Sequence, residues 1–188
     1  MTAEVCLEQI IPHGKRLVYV EIGVLRATNL IALANKYPLL TLIGVDSYAE
    51  YIDEAHGYSV SKELSLLNKK IAEDRIAKSG HQQRIELVFK DSFEFAETVQ
   101  DGSVDIVFLD KNFSAEQTEL DVIAWYPKVS SGGILCGHDA YTEPILRGVK
   151  QGLKKFDELD TQIINNEVWA IKKVTHDNNI LATVNPNQ

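Results

Sequence analysis

The chain has 188 residues, of which 45% are hydrophobic, 24% charged and 8% aromatic, as in an ordinary globular protein without repeats or low-complexity tracts. Its formal net charge of −8 and isoelectric point near 5.1 oppose binding to DNA, RNA and anionic membranes, because polyanions are bound through clustered Lys and Arg. We therefore expect neither nucleic acid nor a membrane as a partner.

The N-terminal sequence carries Glu4 and Glu8 where a secretory leader would be basic and then apolar, and no apolar run approaches the roughly 20 residues of a membrane span. The two cysteines, Cys6 and Cys136, do not form a CxxC pair with metal-ligand spacing. These features predict a cytoplasmic protein in a reducing compartment.

Short apolar runs rich in Val and Ile alternate with segments of helical spacing. The runs cover residues 17–22, 42–46, 84–89, 104–110 and 133–137. Runs that are apolar on both faces are typical of buried parallel strands. The sequence therefore predicts an α/β fold, doubly wound around a mostly parallel sheet.

The first two connecting segments predict helices. Residues 25–36 have helical spacing, and in 62–78 the side chains of Leu64, Leu67 and Ile71 share one face of the helix. We expect that face to pack on the sheet.

Two later segments also predict helices. Ser114 to Gln117 has the pattern of a capping box, and Pro127 ends the helix that it begins. Further along the chain, an apolar stripe indicates another sheet-packed helix; it comprises Ile145, Val149, Leu153 and Phe156.

Near the C-terminus the apolar segments TQIIN and VWAIKK are separated only by Asn166 and Glu167, so they predict a hairpin that makes one strand antiparallel. The polar segment 176–188 predicts a loose tail. We expect residues 1–175 to form one domain.

In an open α/β sheet the ligand site lies beyond the carboxyl ends of the parallel strands. The residues that finish or directly follow the predicted strands are therefore the site candidates: Glu21, Gly23, Asp46, Asp91, Ser92, Asp110, His138 and Asp139.

Each candidate has a structural alternative. Gly23 can bring main-chain amides up to a ligand or can simply make a tight turn, and the GxGxxG pattern of dinucleotide sites is absent. Asp46 can accept both hydroxyls of a ribose, or it can cap a helix or be a surface turn acid. Ser92, after Asp91, is equally suited to capping the next helix.

Asp110 follows a buried run, where a carboxylate is more often functional than a random surface acid, although a turn acid is the alternative. His138 and Asp139 add an imidazole and a carboxylate on the neighbouring loop. Considered by themselves, these two residues would more often form a hydrogen-bonded turn.

Taken in order, these segments resemble a class I S-adenosylmethionine-dependent methyltransferase of the small-molecule group. In that group the fourth strand reads D-x-x-F-I-D-G-D-H-[ST]-Y and the fifth reads G-G-x-x-x-G-H-D-Y; here they read DIVFLDKNFSA and GGILCGHDAY. The match covers roughly residues 17–172 by motif order. The resemblance implies a Rossmann-like sheet of seven strands with one strand reversed.

The resemblance also implies S-adenosylmethionine as the cofactor. It places Asp110 beside the reacting methyl group. The implied cofactor-binding residues are Glu21, Gly23 and Asn29 near the methionine end, Asp46 and Ser47 at the ribose, and Asp91 and Ser92 at the adenine.

Two segments depart from the family pattern. Ala27 stands where glycine is usual, and Asn29 stands where serine or threonine is usual, which predicts weaker cofactor binding. At 111–113 the sequence KNF replaces G-D-H, so that Asn112 and Phe113 remove one base or ligand.

Methyl transfer is an in-line displacement in which the protein aligns the acceptor and removes its proton. In one hypothesis Asp110, His138 and Asp139 bind a divalent cation that lowers the pKa of an acceptor hydroxyl, and the His ligand favours Mn, Fe or Zn over Mg. In the other, His138 is the general base and Asp139 or Asp110 fixes its tautomer.

The acceptor is expected to be a small molecule with a hydroxyl group. Tyr48, Tyr51, His56 and Tyr58 either form a lid over the site or belong to a solvated loop. A homo-oligomer is compatible with the sequence. The alternatives to a methyltransferase are a cofactor-binding module that has lost catalysis and a nicotinamide-dependent oxidoreductase.

Overall fold

The computed structural model of the chain describes residues 3–53, 58–111, 114–157 and 160–174. Within these ranges the helices are α1 (Ala3–Leu7), α2 (Thr28–Lys36), α3 (Lys62–Ser79), α4 (Ser92–Ala96), α5 (Ala115–Trp125) and α6 (Glu143–Leu153). The strands are β1 (Leu17–Ile22), β2 (Leu40–Val45), β3 (Tyr51–Asp53), β4 (Tyr58–Val60), β5 (Ile85–Val88), β6 (Val104–Leu109), β7 (Val129–Gly137), β8 (Gln162–Ile164) and β9 (Val168–Lys172). Single 3-10 turns follow α5 and α6.

The main sheet has seven strands in the order β5-β2-β1-β6-β7-β9-β8. The first five in that order are parallel, whereas β9 is antiparallel to both β7 and β8. The predicted α/β class, the seven-stranded Rossmann-like sheet and its reversed strand are thus confirmed. β3 and β4 form a separate hairpin for which the sequence analysis had predicted no strands.

The core consists of two apolar layers on opposite faces of the sheet. Because side chains alternate along a strand, Tyr19 and Phe108 belong to one layer, whereas their neighbours Val20 and Val107 belong to the other. Helices α1 to α3 cover the first layer, and α4 to α6 cover the second. The predicted stripe on α6 lies in the second layer.

The predicted packing face of α3 is wrong. Leu64 and Leu67 are 39% and 52% exposed. The buried face instead consists of Ser65, Asn68, Ala72 and Ile76. Small and polar residues are buried here because α3 also packs on polar loops.

Two hydrogen bonds show what the N-terminal half of α3 contacts. The Ser65 hydroxyl donates to the Ala49 carbonyl at 2.8 Å, and the Arg26 Nε donates to Asn68 Oδ1 at 2.8 Å. The N-terminal half therefore rests on the loops after β1 and β2, and only the C-terminal half reaches the apolar core.

Helix boundaries differ from the predicted ones where caps decide them. Helix α2 begins at Thr28 instead of residue 25, because Leu25 and Ala27 have left-handed φ angles of 51° and 56°. Asp91, and not Ser92, caps α4: its Oδ1 accepts the Phe93 N–H at 2.8 Å. Ser114 caps α5 as predicted.

None of the described helices is long and apolar enough to span a bilayer. Both cysteines are buried and unpaired, and burial raises the pKa of the Cys136 thiol. The predicted tail, residues 176–188, lies outside the described ranges.

The corrected orientation of α3 leads to a stability prediction. Ile76 is 6% exposed, so Ile76→Ala should lower the free energy of unfolding by about 2–4 kcal/mol. The matched variant Leu67→Ala should cost less than about 1 kcal/mol. Urea denaturation measures both, and an equal loss from the two variants would contradict the assigned face.

Candidate functional site

A row of main-chain hydrogen bonds positions the candidate residues at the carboxyl edge of the sheet. The residue after each strand donates its backbone N–H to the carbonyl that ends the neighbouring strand. The bonds are Asp46 to Val88 (3.1 Å), Gly23 to Val45 (2.9 Å), Asp110 to Ile22 (2.8 Å) and His138 to Leu109 (3.0 Å). The row fixes these four backbones on consecutive strands of one sheet edge.

Gly23 is required by its backbone geometry. Its φ is 91°, and a Cβ at this position would lie 2.1 Å from the carbonyl oxygen of Asp110. A side chain would therefore push the ends of β1 and β6 apart. The close approach to the backbone of Asp110 thus accounts for the glycine, and Gly23 also lines the cavity described below.

Asp46 organises the loops around it. Its Oδ2 accepts the N–H groups of Val24 and Leu25 at 2.9 and 3.1 Å, and its Oδ1 accepts the N–H of Tyr48 at 2.8 Å. A carboxylate offers about four acceptor positions, so about one remains for a ligand. Asp46 caps neither α2 nor α3, whose N-cap residues are Ala27 and Ser61, and in the protein alone it holds loop amides.

Glu21 is the buried acid of the site, with 2% exposure. Asn29 Nδ2 donates to Glu21 Oε2 at 2.7 Å and to the Tyr19 hydroxyl oxygen at 3.1 Å, and the Tyr19 hydroxyl donates to the same Glu21 oxygen at 3.2 Å. Burial raises the pKa of Glu21 to about 8, although the hydrogen bond from Asn29 lowers it; the Asp110 carboxylate raises it further. Glu21 is therefore mostly protonated at neutral pH.

Asn29 also carries an unsatisfied acceptor. Its Oδ1 is buried and has no hydrogen-bond partner among the residues that the structure describes. A buried acceptor without a partner is costly, so this atom, beside a protonated Glu21, favours a hydrogen-bond donor or a cation from outside the chain.

Asp91 and Ser92 use their side chains differently. Burial raises the pKa of Asp91, but the Phe93 N–H and the Lys111 ammonium, 3.5 Å from Oδ2, outweigh it, and the net shift is downward. The Ser92 hydroxyl donates to Asp121 Oδ1 at 3.0 Å and accepts the indole N–H of Trp125 at 2.8 Å. Ser92 is thus tied to α5 through its side chain.

One cavity of about 430 Å³ opens at this edge, within the usual size of a small-molecule site. Every residue predicted to bind the cofactor lines it: Glu21, Gly23, Asn29, Asp46, Ser47, Asp91, Ser92 and Asp110. Ala27 does not line this cavity and is fully buried in the core. The extra methyl group therefore occupies the core and takes no room from a ligand.

The expected lid is only partly described. Tyr48 and Tyr51 both line the cavity. Tyr48 is buried and its hydroxyl donates to the Leu25 carbonyl at 3.0 Å, so it forms a wall. Tyr51 is 42% exposed at the cavity mouth. His56 and the side chain of Tyr58 lie outside the described part of the chain.

Beyond Asp110 the edge continues as a cluster of one histidine and several acids. The Nδ1 atom of His138 lies 3.1 Å from Asp139 Oδ1 and 3.5 Å from Asp110 Oδ1. Asp139 is buried and holds a left-handed φ of 58°. Hydrogen bonds that His138 donates to Asp110 and Asp139 raise its pKa to about 10, against the opposing effect of burial.

Two further residues of this cluster were not predicted from the sequence. Glu167 Oε2 lies 3.5 Å from His138 Nε2, and a hydrogen bond with Asp139 raises the pKa of Tyr141 to about 12. A signal for Glu167 existed: it precedes a strand predicted to be reversed, and a reversed strand begins at the edge where its parallel neighbours end. Tyr141 has no comparable signal beyond its place after GHDA.

The three predicted ligands lie close together. Single ligand atoms of Asp110, His138 and Asp139 all lie within 4.8 Å of one another. Adjacent ligands at about 2.1 Å from an ion are about 3.0–3.4 Å apart; the distance from His138 Nδ1 to Asp139 lies in this range, and the distance to Asp110, 3.5 Å, lies just above it. Asn112 and Phe113 lie outside the described residues, so the KNF departure carries no structural account.

Solved structures share this fold at low sequence identity. The chain superimposes with a TM-score of 0.62 on precorrin-6y C5,15-methyltransferase from Geobacter metallireducens, at 17% identity over 90% of this chain and 85% of the other. A candidate S-adenosylmethionine-dependent methyltransferase from Methanococcus maripaludis superimposes with a TM-score of 0.59, at 15% identity over 91% of this chain and 84% of the other. An O-methyltransferase family protein from Burkholderia thailandensis superimposes with a TM-score of 0.58, at 14% identity over 86% of this chain and 52% of the other.

The strand order, the reversed strand and the ligand cavity at the carboxyl edge define a class I S-adenosylmethionine-dependent methyltransferase fold. The model of the methyltransferase domain family matches residues 20–140, and the chain belongs to that family. No protein of curated function matches the sequence.

The charge on His138 leads to a pH prediction for the metal-free protein. Its folded pKa of about 10 exceeds the ordinary value of 6.5, so the stabilisation is complete below about pH 6.5 and is lost as the pH rises toward about 10. The difference in unfolding free energy between the wild type and His138→Gln should shrink over that interval. Denaturant titrations with chelator test this, and a constant difference would contradict it.

Proposed function

We propose that this protein transfers a methyl group from S-adenosylmethionine to a hydroxyl of a small molecule. The observation that carries the proposal is the position of Asp110, which lines both the 430 Å³ cavity and the small cleft containing His138 and Asp139. The proposed cofactor cavity and the proposed acceptor-activating cluster therefore meet at Asp110 and the adjacent Lys111.

The cavity offers a cationic cofactor complementary groups along its length. Near β1, the protonated Glu21 and the unpaired Asn29 Oδ1 suit the ammonium of the methionine moiety. The remaining acceptor position of Asp46, with Ser47, suits a ribose hydroxyl. Asp91 lies by the adenine. Its Oδ2 pairs with the Lys111 ammonium in the protein alone and accepts the adenine amino group when the cofactor is bound.

His138, Asp110 and Asp139 lie where they can assist the loss of the acceptor proton. Hydrogen bonds to Asp110 and Asp139 hold His138 protonated at neutral pH, so in the metal-free protein it is a poor general base. This favours the hypothesis in which Asp110, Asp139 and the Nδ1 atom of a neutral His138 would hold a divalent cation. Such a cation supplies Lewis acidity that lowers the pKa of a bound hydroxyl.

The rival within the same family is a cofactor-binding module without catalysis. The replacement of the family's aspartate and histidine by Asn112 and Phe113 motivates it. The retained Asp110, His138 and Asp139 cluster favours an active enzyme, because it places two carboxylates and an imidazole within reach of one ion.

Binding and turnover experiments test the proposal. Calorimetry should show heat on titration with S-adenosylhomocysteine but not with NAD. With Mn²⁺ and a panel of small hydroxyl acceptors, His138→Ala should lower kcat at least about 100-fold. Its affinity for the cofactor should change little, because His138 does not line the larger cavity.

His81→Ala is the matched control, since His81 pairs with Asn35 and Arg84 away from the site and its loss should leave turnover unchanged. Heat from NAD alone would overturn the proposal. Cofactor binding without methylation of any acceptor would favour the non-catalytic module.

Glu21 gives an independent prediction for cofactor binding. Because its pKa is about 8, the arrival of the cofactor cations should release a proton from Glu21 near neutral pH. Calorimetry in buffers of different ionisation enthalpy measures that proton. The release should disappear in Glu21→Gln, and an unchanged release in this variant would show that the proton comes from another group.

A further inference from the structure

Glu167 is held firmly at the edge of the sheet. It precedes β9, whose antiparallel register pairs Trp169 with Gly137. Its carbonyl accepts the N–H of Ala140 at 3.0 Å, and its own N–H donates to the Ile164 carbonyl at 3.0 Å. The hairpin therefore fixes this acid beside the loop that carries His138.

The two nitrogens of His138 face different acids. Nδ1 faces Asp139 and Asp110, at 3.1 and 3.5 Å, whereas Nε2 faces Glu167 at 3.5 Å. A neutral imidazole has one N–H and one lone pair. An acid on the Nε2 side therefore stabilises the tautomer that carries its proton on Nε2 and its lone pair on Nδ1.

We propose that Glu167 is a positioning residue that accepts the Nε2–H of His138 and directs the Nδ1 lone pair into the space between Asp110 and Asp139. This inference rests on the proposed function, because that space is the proposed divalent-cation site. It names Glu167 as the orienting acid, a role that the sequence had left to Asp139 or Asp110.

The acid that orients the imidazole and the acids that bind the ion lie on opposite sides of the His138 ring. Asp110 and Asp139 lie on the same side of the ring as the Nδ1 lone pair, so they are placed to share an ion with it. An acid on that side cannot hold the opposite N–H. Glu167 lines neither the cofactor cavity nor the small cleft, so its effect must pass through the imidazole.

Metal affinity tests this role without an acceptor or turnover. Chelator-treated protein is titrated with Mn²⁺, and the free ion is measured by electron paramagnetic resonance. Glu167→Ala should weaken Mn²⁺ binding about 10–100-fold, the usual effect of losing an acid that orients a ligating histidine. Glu167→Gln should stay near the wild type, because its amide oxygen accepts the same hydrogen bond.

A spectroscopic readout separates orientation from general destabilisation. In the Zn²⁺-loaded wild type and Glu167→Gln, the ¹⁵N resonances of His138 should show a metal-bound Nδ1 and a protonated Nε2. Glu167→Ala should lose this single pattern. Glu143→Ala is the matched control, since Glu143 pairs with Arg147 on α6 and should bind Mn²⁺ like the wild type.

The remaining outcomes of the Mn²⁺ and Zn²⁺ experiments contradict either the role of Glu167 or the cation site. If Glu167→Ala binds Mn²⁺ with wild-type affinity, the positioning role alone is overturned. Equal weakening in Glu167→Gln and Glu167→Ala also overturns it, because the charge and not the hydrogen bond would then determine Mn²⁺ affinity. A wild type that binds neither Mn²⁺ nor Zn²⁺ overturns the cation site itself. Calorimetry with S-adenosylhomocysteine on the same samples then shows whether the cofactor half of the proposed function still holds.

Discussion

The site depends on one physical interaction, the extension of the sheet's hydrogen bonding by one residue beyond its strands. The backbone N–H groups of Asp46, Gly23, Asp110 and His138 each donate to the last carbonyl of an adjacent strand. These bonds are backbone constraints, so they fix where each side chain begins whatever its rotamer. Neighbouring strands are about 4.8 Å apart, and the bonds therefore bring residues distant in sequence into one row.

The residues of this row that line the cavity also hold the surrounding backbone in place. Gly23 must be glycine for the approach of β1 to the backbone of Asp110, and Asp46 spends most of its acceptor capacity on loop amides. The polar loops are therefore ordered before any ligand arrives, which lowers the entropy cost of binding. A site built in this way leaves few atoms free, and the free ones, such as Asn29 Oδ1, indicate where a ligand group belongs.

Two protonated side chains mark the two ends of the row, one neutral and one charged. In the cofactor cavity, burial keeps Glu21 protonated and neutral, whereas beyond Asp110 hydrogen bonds to Asp110 and Asp139 keep His138 protonated and charged. Both arrangements hold a proton where a cation can replace it. The family uses a cationic methyl donor, which we propose binds in the first half, and the proposed cation site in the second half combines two carboxylates with an imidazole.

The sequence by itself determined the class of fold, because apolar runs with Val and Ile report burial on both faces, and it located the candidate residues, because strand ends are local features. It could not determine which face of α3 is buried, since Ser65 and Asn68 face inward only where loops after other strands supply partners. Nor could it join Glu167 to His138, because a contact between residues 138 and 167 depends on the register of β9 against β7. Strand order, helix orientation and the pairing of distant acids arise from packing between segments, and a linear pattern does not contain that information.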